Sequence, residues 1–261
     1  MRMNEQSTYL LNEKPCSIMK SFIDRTTLFA FDLDGTLAPI VSNPGKIGIP
    51  DSVRKEITIL NHQAVVAVIT GRSRLDAMQY MPITPSYLIG NHGAEGLPGW
   101  EKRERDFIRT VIKWQNHLEL IFSSKETTGI SIENKGATLS IHYRKADNVK
   151  TAHALILSAV NQLIPQPRRI SGKYIENLIP DGAPDKGVAL MLLMHHAKRQ
   201  KAFFAGDDET DEDVFRLRDK NIFSVRVGRK NGSRAHFHLR GQNEIVRLLR
   251  GINYIIGQTK K

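Results

Sequence analysis

Two aspartates separated by one residue, Asp32 and Asp34, are the side chains best placed to do chemistry. They follow a short apolar run and precede Gly35 and Thr36, which permit a sharp turn and can cap the next element. Two carboxylates this close repel each other, and a divalent cation such as Mg²⁺ resolves the repulsion. Asp32 could then attack a phosphorus atom, while Asp34 could protonate the leaving oxygen and later deprotonate a water. The alternative is a turn or a helix cap without chemistry.

A second acidic segment, residues 206–213, reads GDDETDED in a chain whose net charge is +11. It also follows an apolar run, and so much negative charge in one loop is costly unless a cation is bound. Asp207 is nearest to the apolar run, and Asp208 and Asp211 are second choices, either as direct ligands or through water. The predicted metal ligands are Asp32, Asp34, Asp207 and Asp208. The alternative is a solvated helix N-terminus whose acids face the helix dipole.

Two further residues suit the transfer of a phosphoryl group, whose oxygens need hydrogen-bond donors and positive charge. Thr70 offers a hydroxyl, and Gly71 after it lets the backbone approach. Lys186 offers a fixed charge at the start of a predicted helix, where the dipole disfavours a lysine. Each alone has a simpler explanation, a cap for Thr70 and a surface charge for Lys186. The predicted catalytic set is Asp32, Asp34, Thr70 and Lys186.

These residues can meet if the apolar runs before them are strands of one sheet. Buried strands are predicted at residues 28–31, 64–69, 87–89, 201–205 and 224–227, and helices at 52–60, 73–81, 187–196, 211–218 and 244–249. Three of the strands end at Asp32, Thr70 and Asp207. Since sites gather beyond the carboxyl ends of strands in open parallel sheets, we expect these side chains to lie at one edge.

The pattern changes in the middle of the chain. Helices are predicted at residues 103–123 and 151–164, and antiparallel strands at 129–133, 137–143, 168–170 and 174–179. The predicted fold class is α/β, a Rossmann-like parallel-sheet core with an inserted α+β cap domain. The predicted domains are an N-terminal extension at 1–25, the core at 26–98 and 181–261, and the cap at 99–180.

Composition narrows the partners. The chain has 261 residues, and its basic residues are scattered without a zinc-finger, aromatic-basic or helix-turn-helix pattern. The basic balance favours anionic partners such as nucleic acid, acidic membranes or phosphorylated small molecules, and the scatter favours a solvated basic surface over a nucleic-acid site. The single cysteine, Cys16, excludes an intrachain disulfide. No apolar run approaches the roughly 20 residues of a membrane span, and residues 1–15 lack a signal-peptide core. We therefore expect a soluble, cytoplasmic monomer with no membrane partner.

The four motifs, in this order, resemble those of the haloacid dehalogenase superfamily of phosphotransferases. Asp32 and Asp34 are similar to its first motif, Thr70 to its second, Lys186 to its third, and Asp207 with Asp208 to its fourth. The inserted segment is similar in place and pattern to the α+β cap of one subgroup. The resemblance implies catalysis with Mg²⁺ through an aspartyl phosphate on the first aspartate.

A narrower resemblance is to trehalose-6-phosphate phosphatases. The motifs that carry it are VITGR at 68–72, GNHGAE at 90–95, LSIHYR at 139–144, DKG at 185–187 and GDDETDE at 206–212. The resemblance implies hydrolysis of trehalose 6-phosphate to trehalose and phosphate, in trehalose biosynthesis. The implied substrate-binding residues are Gly71, Arg72, His92, Glu95, His142, Arg144, Lys173, Glu176 and Asn177.

The sequence departs from the family pattern in the cap. The family shows Gly-Lys, three further residues and then a glutamate. Here Gly172 and Lys173 are followed by Glu176 one place early, and Asn177 holds the expected position. The sugar-reading residue at this place is therefore left open between Glu176 and Asn177.

Two other functions stay open at this point. One is a phosphatase of the same superfamily that acts on another sugar phosphate, such as a sucrose or mannosyl phosphate. The other is a basic binding module that keeps an inactive phosphatase core, although every expected catalytic residue type is present.

Overall fold

The computed structural model describes residues 7–41, 47–81, 83–123 and 127–258. The chain forms two compact units. The core unit comprises Met1–Gly93 and Pro184–Lys261, and the inserted unit comprises Ala94–Ala183.

In the core unit, strands and helices mostly alternate along the chain. In the inserted unit, as far as its residues are described, each of the two helices is followed by two strands. The strands are β1 (Thr8–Tyr9), β2 (Leu28–Phe31), β3 (Val65–Ile69), β4 (Tyr87–Ile89), β5 (Ser131–Asn134), β6 (Leu139–His142), β7 (Arg168–Gly172), β8 (Ile175–Ile179), β9 (Ala202–Gly206), β10 (Ile222–Val227) and β11 (Phe237–Leu239). The helices are α1 (Glu13–Phe22), α2 (Asp51–Gln63), α3 (Arg74–Tyr80), α4 (Glu101–Ile121), α5 (Val149–Val160), α6 (Lys186–His196), α7 (Glu212–Phe215) and α8 (Ile245–Gln258). In the part of the chain that the structure describes, no helix is both long and apolar enough to cross a membrane.

Within the described residues of the core unit, seven strands form a sheet in the order β1-β11-β10-β9-β2-β3-β4. Every neighbouring pair is parallel. From β2 the chain proceeds to β3 and β4 on one side, while β9, β10 and β11 extend the other side. The strand order therefore reverses between β2 and β9, which is where open parallel sheets bind ligands. The predicted α/β class with a parallel-sheet core is confirmed.

The central strands are apolar on both faces because helices cover both sides of the sheet. All four residues of β2 are buried, as are all residues of β9 and β10. Phe203 of β9 stacks on Phe223 of β10 with ring centroids 5.6 Å apart. Helices α2 and α8 bury Leu60 and Ile252 in the same core. This packing holds the carboxyl ends of β2 and β9 side by side.

Part of the segment predicted as an N-terminal extension contributes to the core unit. Thr8 pairs with Phe237, which places β1 beside β11 at the edge of the sheet. Met19 of α1 is buried in the main core. A two-residue strand has no periodicity to read, so the sequence pattern does not reveal it.

The inserted unit contains an antiparallel sheet in the order β5-β6-β8-β7, in agreement with the predicted α+β composition. Helices α4 and α5 pack on one face of this sheet, where Trp114 and Ile156 meet Ile141 and Leu178. Because side chains alternate along a strand, Ser140 and His142 belong to the opposite face.

Candidate active site

Asp32 follows β2 directly, at the point where the strand order reverses. Its backbone N–H donates to the carbonyl of Ala205 in β9 at 2.9 Å, so the residue is fixed to the neighbouring strand. The chain then turns through Gly35, whose φ of +81° is a left-handed conformation that a residue with a Cβ adopts only at a cost. The turn is closed by the N–H of Gly35, which donates to the carbonyl of Ala38 at 2.7 Å.

Asp207 lies against this turn. A Cβ added to Gly35 would stand 2.0 Å from Oδ2 of Asp207, so the glycine makes room for the carboxylate. The hydroxyl of Thr36 donates to Oδ1 of Asp207 at 3.2 Å. The Gly-Thr pair thus joins the segment after β2 to the carboxylate after β9.

Lys186, the first residue of α6, lies between two carboxylates. Its ammonium donates to Oδ1 of Asp32 at 2.8 Å and to Oδ1 of Asp211 at 2.7 Å. The lysine side chain is 2% exposed, and those of Asp32 and Asp211 are 6% and 0% exposed. A buried charge of this kind requires paired partners, and each of the three has at least one.

Three carboxylates converge here. Asp32, Asp207 and Asp211 offer oxygens that all lie within 4.8 Å of one another. With one lysine among them, the four side chains carry a charge of −2 when all are ionised. The hard oxygen donors and this residual charge fit a divalent cation such as Mg²⁺.

The pKa values reflect this crowding. Burial raises the pKa of Asp32 well above its usual value, Lys186 opposes the rise, and Asp211 and Asp207 add to it. Burial, Asp211 and Asp208 raise the pKa of Asp207 to about 7. Burial lowers the pKa of Lys186, but the attraction of Asp211 and Asp32 outweighs it and holds the pKa above its ordinary value. Burial and the neighbouring carboxylates therefore make full ionisation of Asp32 and Asp207 costly without further positive charge.

Asp211, a second choice on sequence grounds, joins this group in place of Asp208. Asp208 is exposed, whereas Asp211 is fully buried. The Asp211 side chain turns back over Gly206, where an added Cβ would stand 2.2 Å from its Cγ. Its Oδ2 accepts from the backbone N–H of Asp208 at 2.8 Å. The geometry therefore groups Asp211 with Asp32 and Asp207, and the role of Asp208 as a ligand stays a prediction.

The carboxylate of Asp34, also a predicted metal ligand, lies outside the group of three, and its metal role stays a prediction. Arg72 donates two hydrogen bonds to the Asp34 carboxylate, from Nε to Oδ2 at 2.6 Å and from Nη2 to Oδ1 at 2.7 Å. Arg72 also donates to Asp76 at 2.7 Å and lies over the ring of Tyr80. Burial lowers the pKa of Arg72, and the two aspartates outweigh it and raise that pKa above its usual value. The predicted substrate contact Arg72 is thus engaged by the predicted acid–base residue.

Thr70, Gly71 and His92 lie together after β3 and β4. Thr70 is buried, and its Oγ1 accepts from the backbone N–H of Arg72 at 3.2 Å. The N–H of His92 donates to the carbonyl of Thr70 at 2.9 Å. The His92 ring lies against Gly71, where an added Cβ would stand 2.4 Å from Cε1. The two loops are therefore one connected structure at the edge of the sheet that also carries Asp32.

The other predicted substrate contacts belong to the inserted unit. His142 closes β6, and its Nε2 lies 2.8 Å from Oε2 of Glu133 on β5. Arg144 and Lys173 are exposed, and Glu95 is partly buried near the start of the unit. These four residues therefore stay predicted substrate contacts.

Glu176 and Asn177 are neighbours on β8 and occupy opposite faces of the sheet. The Glu176 side chain is 0% exposed and accepts from Ser171 at 2.8 Å, and His153 Nε2 lies 2.9 Å from its other oxygen. Its carboxylate is therefore not available to a sugar in this structure, which corrects its predicted role. Asn177 lies on the face away from α4 and α5, where its Oδ1 accepts from Ser140 at 2.7 Å.

Arg226 was not singled out from the sequence, yet it contacts the acidic segment. Arg226 donates to the backbone carbonyls of Asp207 and Asp208 and to the carboxylate of Glu212, a member of that segment. An arginine within a strand predicted to be buried, 224–227, is the signal that could have drawn attention to it.

The sequence of this chain is similar to those of known phosphatases over most of its length. The sequence model of the trehalose-phosphatase family matches residues 30–240. The chain is 29% identical over 238 residues to a trehalose-6-phosphate phosphatase of Escherichia coli (strain K12), covering 88% of each chain. It is 25% identical over 261 residues to a probable trehalose-phosphate phosphatase I of Arabidopsis thaliana, covering 91% of this chain and 70% of that one.

Solved structures agree on the fold. A crystal structure of a trehalose-6-phosphate phosphatase related protein superimposes with a TM-score of 0.72 and 24% identity, covering 90% of this chain and all of that chain (100%). The C-terminal domain of trehalose-6-phosphate phosphatase from C. albicans superimposes with a TM-score of 0.68 and 20% identity, over 97% and 100%. The family match over residues 30–240 includes the motifs around Asp32, Thr70, Lys186 and Asp207 as well as the inserted unit. The chain therefore belongs to the trehalose-phosphatase family.

Proposed function

We propose that this protein is a Mg²⁺-dependent phosphomonoesterase that hydrolyses trehalose 6-phosphate to trehalose and phosphate. Its family supports a phosphatase, and the names of its relatives in Escherichia coli and Arabidopsis thaliana support this substrate. The observation that carries the chemistry is the group formed by the buried Asp32, Lys186 and Asp211 and the partly buried Asp207 where the strand order reverses.

Asp32 is the proposed nucleophile. One of its carboxylate oxygens forms a bond to phosphorus while the bond from phosphorus to the sugar oxygen breaks, which gives an aspartyl phosphate. Water then attacks phosphorus, phosphate leaves, and the carboxylate is regenerated. Lys186 holds Oδ1 of Asp32 at 2.8 Å and thereby fixes the orientation of the carboxylate.

Asp34 is the proposed acid and base. It gives a proton to the leaving sugar oxygen and takes one from the attacking water. In the structure both oxygens of Asp34 accept hydrogen bonds from Arg72. To carry a proton, Asp34 has to free an oxygen from this pair, and the phosphate dianion of a substrate is a natural competitor for the guanidinium. Arg72 is then both the predicted substrate contact and the partner that occupies both oxygens of Asp34 before substrate binds.

The proposed holders of Mg²⁺ are the carboxylates of Asp32, Asp207 and Asp211. When bound, the ion offsets the negative charge that gathers on the transferring phosphoryl group. The residues themselves support this, because burial and neighbouring carboxylates raise the pKa of Asp32 and that of Asp207, and a bound cation opposes both rises.

The sugar is proposed to be recognised by the inserted unit. The face of its sheet opposite α4 and α5 carries the polar side chains of His142 and Asn177, and the buried Ser140 donates to Asn177. Sugars require such paired donors and acceptors. Arg144, Lys173 and Glu95 remain proposed contacts on the strength of the sequence motifs.

We further propose that the protein acts in the cytoplasm as a monomer, without nucleic-acid or membrane partners. The single cysteine, Cys16, and the scattered distribution of the basic residues support this. Light scattering coupled to size exclusion tests the monomer, and a mass of two or more chains overturns it.

The test of function is phosphate release from trehalose 6-phosphate, sucrose 6-phosphate and glucose 6-phosphate, with Mg²⁺ and after removal of Mg²⁺ by a chelator. We expect trehalose 6-phosphate to be hydrolysed at least about tenfold faster than the others, which corresponds to about 1.4 kcal/mol of transition-state discrimination. Asp32→Asn is expected to abolish release, and Asp106→Asn, an exposed aspartate of α4, to leave it unchanged. Equal rates on all three substrates would favour another sugar phosphate, and no release at all would refute the proposal.

A further inference from the structure

The acidic segment that follows β9 is held in place by one buried arginine of β10. Arg226 pairs in register with Gly206, the last residue of β9. From there its side chain runs along the segment, with Nη1 donating to the carbonyl of Asp208 at 3.2 Å and Nη2 donating to the carbonyl of Asp207. One guanidinium thus binds two successive peptide groups of the segment that carries the carboxylates.

The same guanidinium is buried and paired. The side chains of Arg226 and Glu212 are 8% and 4% exposed, and Nη1 lies 3.0 Å from Oε1 of Glu212. The other oxygen of Glu212 accepts from the backbone N–H of Arg234 at 2.9 Å. Glu212 begins α7, directly after Asp211. The pair therefore connects both ends of the acidic segment to the loop after β10.

We propose that Arg226, anchored by Glu212, is a positioning residue for the divalent cation. It fixes the peptide groups of Asp207 and Asp208, and through them the direction in which the Asp207 carboxylate points. The planar fork of the guanidinium donates to two carbonyls and one carboxylate at once in a fixed geometry. The inference rests on the proposed Mg²⁺ site and adds a residue that touches neither the cation nor the phosphate.

Charge alone does not account for this arrangement. A positive charge beside a cation site weakens cation binding, but Arg226 is neutralised by Glu212, so its net contribution is geometric. Partners of metal ligands typically change metal affinity by about 10–100-fold when they are removed. Arg226→Lys keeps the charge and the pair with Glu212 but loses the fork, which isolates the geometric part.

The test is the dissociation constant of Mg²⁺, measured by titration calorimetry on the substrate-free full chain. We expect Arg226→Lys to weaken binding by about 10–100-fold, with a matching rise in the Mg²⁺ concentration needed for half-maximal phosphate release. Excess Mg²⁺ should restore the turnover number, because the catalytic residues themselves are unchanged. The matched control is Arg216→Lys, whose arginine is 57% exposed and pairs with Asp213 of the same segment. This variant should bind Mg²⁺ within about twofold of wild type, since exposed pairs contribute little.

Different failures have different meanings. If the wild-type protein binds no Mg²⁺, the proposed cation site itself is refuted. If wild type binds Mg²⁺ and a folded Arg226→Lys binds it equally well, only the role of Arg226 is refuted. If Arg226→Lys does not fold, Glu212→Gln decides, because it keeps the shape of the side chain and loosens the anchor. An unchanged Mg²⁺ affinity in Glu212→Gln then overturns the inference.

Discussion

Replacing Lys186 with methionine is the sharpest test of how the active site is held together. Methionine keeps most of the length of the side chain but removes the ammonium that Asp32 and Asp211 share. The two buried carboxylates of Asp32 and Asp211 and the partly buried carboxylate of Asp207, whose oxygens lie within 4.8 Å of one another, then have no lysine among them. In the absence of a cation, the folded variant must take up one more proton than wild type does.

The cost of that proton sets the magnitude. Protonating a carboxylate with an ordinary pKa of 3.8 costs about 4 kcal/mol near pH 7 and about 1.5 kcal/mol near pH 5. Breaking a buried ion pair by removing one partner typically costs about 3–5 kcal/mol, in agreement with the first value. Lys186 itself stays charged throughout this range because its pKa lies above the ordinary 10.5. The destabilisation is therefore largest at neutral pH and shrinks by about 3 kcal/mol as the pH falls from 7 to 5.

The assay is urea unfolding of wild type and Lys186→Met at several pH values in the presence of a chelator. The control is Lys201→Met, which removes a partly exposed partner of Asp24. Burial raises the pKa of Asp24, but hydrogen bonds from Lys201 and Thr26 outweigh it and lower the pKa to about 2. Asp24 is ionised in both folded and unfolded chains above about pH 5, so this variant should lose about 1 kcal/mol or less at every pH tested. A loss in Lys186→Met that does not vary with pH would refute the reasoning about shared protons.

Three further predictions address the same centre. Asp32→Asn should abolish phosphate release without lowering the free energy of unfolding by more than about 1 kcal/mol, because it removes one of three mutually repelling charges; activity that persists would exclude Asp32 as nucleophile. Gly35→Ala should cost about 1–2 kcal/mol for its left-handed backbone and weaken Mg²⁺ binding, because the new methyl group meets Asp207; unfolding and calorimetry together measure both effects. Since Asp207 has a pKa of about 7 without a cation, Mg²⁺ has to displace its proton at lower pH, and its affinity should fall by up to about tenfold per pH unit below about 7; an affinity independent of pH contradicts this.

The parallel core could be predicted because its signal is local. Strands buried on both faces read as unbroken apolar runs, and the run before Asp32 coincides with β2 (Leu28–Phe31). The polar residue after each run then marks the carboxyl edge of the sheet. Because β9, β2 and β3 are adjacent and parallel, the residues that follow these strands lie at the same edge of the sheet.

The choice between Asp208 and Asp211 could not be made in the same way. Both follow β9 within a single turn of chain, and the direction of a loop side chain depends on contacts distant in sequence. Asp211 points inward because Lys186 attracts it and Gly206 leaves space for it. The contacts of Arg226 could not be predicted for a related reason. Arg226 lies in β10, whereas the carbonyls that accept from it follow β9, so the pairing of the two strands has to be known first.

The position of Glu176 shows where family resemblance and strand geometry have to be combined. The family pattern expects a glutamate at 177, and this chain has one at 176. A shift of one residue along a strand moves a side chain to the opposite face of the sheet, so Glu176 cannot substitute by a small adjustment. Instead, Glu176 accepts a hydrogen bond from Ser171 and contacts His153 on the face covered by the helices. Asn177 lies on the opposite face of the sheet. An amide offers one donor group and one acceptor where a carboxylate offers two acceptors, so a sugar hydroxyl has to meet Asn177 in a different hydrogen-bonding role. We therefore propose that the choice between trehalose 6-phosphate and another sugar phosphate depends on Asn177 and its neighbours on that face rather than on the buried Glu176.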